Sequence, residues 1–141
     1  MHSKLKFVKV CLWIGVILDG ISALLYLRPN FILGSLGLPA AMLTPAAIYL
    51  LFHAGIFMLA WTILLIWTLQ DPIQRRFILL LTVLVTIGLT ASSVYLTTVD
   101  AVAIANLIPL LVLPVLVGGL FTTGYLIAGS IARDPSSAHG P

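Results

Sequence analysis

Two ionisable side chains fall inside long apolar runs of this chain, Asp19 in GVILDGISAL (15–24) and His53 in YLLFHAGIF (49–57). A carboxylate placed within a membrane span costs roughly 2.5 kcal/mol or more, so an acid there is expected to act on something. It can bind a ligand's polar end, carry a proton, or hold two helices together as a protonated clasp. Histidine is the side chain that titrates nearest neutrality, which suits it to shuttling protons beside such an acid.

The positions suggest a shared depth. Asp19 lies eight residues before Leu27 and His53 nine residues after Thr44, the expected outer ends of two antiparallel spans. At about 1.5 Å per residue both sit about 12 to 14 Å in. A direct or water-bridged Asp19–His53 contact is therefore expected. Asp19, Ser22 and Tyr26 share one helix face with Gly15, and Tyr49 shares a face with His53. With Ser93 and Asn106 from later runs, these residues form a candidate ligand-binding pocket in one half of a helical bundle. Thr82, Thr86, Thr90, Ser93 and Thr97 make a small polar stripe that should face other helices, where it serves as packing glue or as the wall of a pathway.

Four apolar runs must position these groups: about 7–27, 44–69, 77–99 and 103–131. Each is long enough for a helix to cross a bilayer, which takes about 20 residues. Helices are required because lipid offers the backbone no hydrogen-bond partners. The first run has the basic start of a secretory signal, but its length, its acid and its ending LYLRPN favour a retained span. QDPIQRR (70–76) and TTVDAVA (97–103) read as short turns. The segment 28–43 is apolar but interrupted by Gly34, Gly37 and Pro39, so it is expected to lie on the outer face of the bundle. The tail 132–141 is polar, and His139 and His2 are terminal. Gly118, Gly119, Gly124, Ala128 and Gly129 suggest close packing in the fourth run, and Pro109 and Pro114 suggest kinks.

Composition agrees with an all-α, polytopic membrane domain spanning 1–141. The 141 residues are 61% hydrophobic and 8% charged, too few charges to cover a water-facing surface. Mean hydropathy is +1.19. Lys4, Lys6, Lys9, Arg75, Arg76 and Arg133 fall on one side of four alternating spans, and only Arg28 on the other. The positive-inside rule then puts both termini in the cytoplasm. Trp13, Trp67 and Tyr125 lie toward that side and Tyr26, Tyr49 and Tyr95 toward the other, whereas Trp61 reads as ordinary packing. A compact chain of this kind fits a bacterial cytoplasmic membrane.

No motif indicates a cofactor, and no nucleic-acid partner is implied by basic residues confined to the ends of apolar runs. There is no HExxH, GxGxxG or Walker loop. A second intramembrane histidine for paired haem ligation is missing, although one could serve as a single axial ligand. The single cysteine, Cys11, cannot form an intrachain disulfide and reads as a small packed hydrophobe. The leading expectation is a binding or accessory subunit rather than an enzyme, a choice the sequence leaves open, with an outward-facing polar pocket for a lipid- or quinone-like molecule or a membrane protein partner. The alternatives are proton-coupled redox or transport chemistry at an Asp–His pair, and a purely structural subunit or homo-oligomer.

Overall fold

Proline and charged clusters divide the apolar chain into five helices in the computed structural model, which describes residues 2–35, 41, 43–98 and 104–133. They are α1 (His2–Tyr26), α2 (Pro29–Ser35), α3 (Pro45–Gln70), α4 (Phe77–Thr98) and α5 (Ile104–Arg133). Four of them are long and apolar enough to cross a membrane. Their bounds follow the expected runs closely, except that α1 begins earlier and takes in the basic N-terminal residues. The segment after α1 opens as the short helix α2, with Pro29 at its first position, where a missing N–H costs nothing. Residues 36–40, 42, 99–103 and 134–141 lie outside the described residues. The turn around Asp100 and most of the polar tail are among them.

Local chemistry explains the helix ends. Thr44 is extended and its Oγ1 accepts a hydrogen bond from the Ala47 N–H at 3.2 Å, capping α3, with Pro45 following. At the other end of α3, Arg75 reaches back over the final turn. Its guanidinium donates to the Trp67 carbonyl and, at 3.3 Å, to Gln70 Oε1. It also sits 3.7 Å above the Trp67 ring. One cation thus satisfies carbonyls at a helix C-terminus and stacks on an aromatic face. Asp71 Oδ1 accepts from the Gln74 N–H at 3.2 Å, so the loop from α3 to α4 is braced from both sides.

The long helices pair as two antiparallel hairpins, α1 with α3 and α4 with α5, joined where α1 packs on α5. Glycines set the close approaches. A Cβ on Gly15 would lie 2.5 Å from Phe121 Cζ and 3.0 Å from Leu65 Cδ1. A Cβ on Gly55 would lie 3.2 Å from Tyr26 Cβ. Leu12, Leu65, Leu79 and Phe121, all fully buried, form the core with Val8, Val16 and Ala128. This core lies in the half that holds the chain's N-terminus and the α3–α4 loop. Leu24, Leu50, Ile63, Ile87, Leu116 and Leu126 are exposed on the outer surfaces of the four long helices. A water-facing domain rarely exposes so much contiguous apolar surface, and the arrangement fits a membrane helical bundle.

Candidate functional site

Each long helix contributes one face to a cavity of about 370 Å³ at the centre of the bundle. From α1 come Gly15, Leu18, Asp19, Ser22 and Tyr26; from α3, Ala54, Phe57, Met58 and Trp61. Thr82, Val85, Thr86 and Leu89 of α4 and Leu113, Pro114 and Val117 of α5 complete it. On α1, α3 and α4 the spacing is that of successive turns along one face. The cavity goes with the sparse contact between α3 and α4, which touch far less than α1 with α3 or α4 with α5 although a short loop joins them. Its mouth is therefore lateral. Phe57, Val85, Leu89 and Leu113, which line it, are also exposed at the bundle surface. Its floor is closed where Gly15 packs on Phe121 and Leu65.

Three hydroxyls in the wall are already committed. The hydroxyls of Ser22, Thr82 and Thr86 donate to the carbonyls of Leu18, Ile78 and Val83 at 2.8, 2.9 and 2.7 Å. These are local bonds to the preceding turn. The Asp19 carboxylate receives no hydrogen bond among the described residues. The indole N–H of Trp61 is buried and has no hydrogen-bond partner among the described residues. A buried donor left unpaired costs roughly 1 to 3 kcal/mol, so an acceptor supplied from outside the chain would be favoured there. The cavity thus offers an unpaired acceptor, an unpaired donor and a mainly apolar wall. That arrangement can hold an amphiphilic molecule.

Asp19, Ser22 and Tyr26, three of the expected pocket residues, line the cavity. Tyr49, His53 and Ser93 do not. The Asn106 side chain lies outside the described residues. Tyr49 and His53 are exposed with ring centroids 4.0 Å apart, and His53 Nδ1 lies 2.9 Å from the Tyr49 carbonyl oxygen. That carbonyl can only accept, so Nδ1 carries the proton of this bond. Ser93 donates to the Leu89 carbonyl at 2.9 Å.

The expected depth match between Asp19 and His53 does not occur. Gly20 faces Thr62, and Gly55 faces Ala23, Tyr26 and Leu27 across the α1–α3 contact. This register sets Asp19 level with Trp61 and Thr62. His53 is level with the end of α1, about nine residues or roughly 13 Å farther along the axis. It also stands two residues from Gly55, about 200° around α3 and away from α1. No ion pair or hydrogen bond joins Asp19 to His53 among the described residues. The cause is that α3 extends well past the end of α1, so the outer ends of the two helices are not level.

Trp61 is the residue the sequence reading assigns elsewhere, to packing. Its indole packs partly against the core, lines the cavity and keeps a buried N–H that has no partner among the described residues. Its spacing from Ala54 and Met58, seven and three residues, carried the signal. Among the described residues no group of three or more His, Cys, Asp or Glu side chains could hold a metal ion. The buried Cys11 lies against Gly124 in the packed half, away from the cavity. No protein-family model, no curated protein and no solved structure matches this chain.

Proposed function

We propose that this chain is an integral membrane protein of the bacterial cytoplasmic membrane that binds a lipophilic molecule with a polar end inside its helical bundle. The observation that carries this reading is the central cavity, mainly apolar in its wall, with the unpaired Asp19 carboxylate and the unpaired Trp61 N–H at one level. Pockets of this volume, with few polar groups in an apolar wall, are typical of small-molecule sites between helices. The closed floor supports binding over passage, because fully buried Leu12, Leu65, Leu79 and Phe121 stand between the cavity and the far end of the bundle.

Four spans with both termini cytoplasmic complete the proposal. Lys4, Lys6, Lys9, Arg75, Arg76 and Arg133 mark the inner face, and the cavity occupies the middle and outer part of the bundle. In a Cys11→Ser background, a membrane-impermeant maleimide applied to intact cells should label Ala41→Cys and spare Ser3→Cys. The reverse pattern would invert the topology.

Native mass spectrometry of the gently extracted protein tests the binding function. The expected result is a retained lipophilic molecule of defined mass that is lost when Ala54→Leu and Val85→Phe fill the cavity. A protein that carries only detergent, or one whose adduct persists in the filled variant, would count against binding in this cavity. Retention of a second protein instead would favour a structural subunit.

A further inference from the structure

The cavity has an imbalance of charge that narrows the class of ligand. Asp19 is the only formally charged side chain in its wall among the described residues. The positive residues lie at the ends of the helices: Lys4, Lys6 and Lys9 at the start of α1, Arg28 after its end, Arg75 and Arg76 in the loop, and Arg133 in the last turn of α5. Arg75 is engaged with Trp67. The hydroxyls of Ser22, Thr82 and Thr86 already spend their protons on backbone carbonyls. No described side chain therefore neutralises the acid or donates to it.

Three aromatic residues, Tyr26, Phe57 and Trp61, line the same cavity as the acid. Trp61 stands at its level, Phe57 about one turn and Tyr26 about two turns farther along the bundle. Aromatic faces attract cations, most strongly when both are out of water. A carboxylate alone would accept any donor, and rings alone would accept any apolar group. Together, in a cavity without a cation of its own, they favour a positively charged head on an apolar body. The lateral mouth, rimmed by Phe57, Val85, Leu89 and Leu113, faces the side from which a membrane-dissolved amphiphile would arrive.

Resting on the binding function above, we infer that the ligand is a lipophilic cation, an amine-bearing amphiphile. Asp19 is its counter-ion, and Trp61, Phe57 and Tyr26 pack along it from its head onward. No bond is made or broken in this step.

The test uses the full chain in zwitterionic lipid nanodiscs, with Trp13→Phe and Trp67→Phe leaving Trp61 as the only indole. Octylamine, octanol and octanoate, equal in chain length and differing in head charge, are titrated against its fluorescence, with empty nanodiscs as the partition control. Octylamine should bind saturably and about tenfold more tightly than octanol, with octanoate weakest, as expected for a desolvated charge pair. Asp19→Asn should abolish the preference for the amine, and Asp19→Glu should retain it. If Asp19→Asn does not fold, the charge series on the parent chain and Asp19→Glu still decide. Equal binding of all three probes would overturn the cation assignment and leave a lipophilic pocket intact. If none of the probes changes Trp61 fluorescence while Ala54→Leu with Val85→Phe does, both the assignment and the pocket's binding role fail.

Discussion

The two halves of the bundle are built from the same helices and the same residue classes, yet one is packed and the other is hollow. In the half with the N-terminus and the α3–α4 loop, Phe121 is fully buried among Leu12, Leu65 and Leu79. In the hollow half, Phe57 is 73% exposed at the rim of the cavity. The difference lies in how α3 and α4 are held. They touch each other far less than the other neighbouring helices do, whereas α1 and α5 pack closely where Gly15 meets Phe121. Hydrophobicity alone therefore does not fill a bundle. The glycines that let helices approach serve other pairs, Gly15 against Phe121 and Leu65, Gly55 against Tyr26 and Gly118 against Thr86, and none among the described residues does the same between α3 and α4.

Truncating one phenylalanine in each half is the most direct way to break this contrast. Phe121→Ala should destabilise by about 3 to 5 kcal/mol, read from unfolding in a denaturing detergent series followed by circular dichroism. A loss below about 1 kcal/mol would mean that the packed half is not the structural core. Gly15→Ala comes next. Its methyl would press on Phe121, so a loss of about 1 to 3 kcal/mol is expected, and Phe121→Leu in the same chain should recover part of it. An unchanged melting temperature in Gly15→Ala would contradict the close approach of α1 and α5. Arg75→Ala removes the cap and the stacked cation at the loop and should cost about 1 kcal/mol by the same assay. Arg75→Lys should recover less than half, because an ammonium cannot match the planar guanidinium on Trp67. The smallest effect belongs to the rim: Phe57→Ala should change stability by no more than about 0.5 kcal/mol. If Phe57→Ala proves as costly as Phe121→Ala, the rim is covered in the membrane and the mouth is not open.

The helices were legible in the sequence because their signal is local. Apolar runs of spanning length, stopped by Pro29, Pro45 and QDPIQRR, leave little freedom in where a helix begins or ends. The face carrying Asp19, Ser22 and Tyr26 was legible for the same reason, since helical periodicity fixes which residues of one helix stand together. Register between helices was not. Counting His53 from Thr44 and Asp19 from Leu27 assumes level helix ends, whereas the pairing is decided by which small residues meet, Gly20 with Thr62 and Gly55 with Ala23. That choice depends on long-range packing, which no spacing within either run encodes. Trp61 was hidden for a related reason. A tryptophan in an apolar run looks like packing until its N–H is seen to have no partner.

The braced loop has a mechanical consequence. Phe57 and Leu89 stand about 13 to 14 residues from the loop along α3 and α4, a lever arm of roughly 20 Å. A change of about 5° in the angle at which α4 leaves the loop would move the rim by nearly 2 Å, about the radius of a methyl group. The guanidinium of Arg75, clasped to Trp67 and Gln70, thus stands at the fulcrum of a mouth that it does not touch.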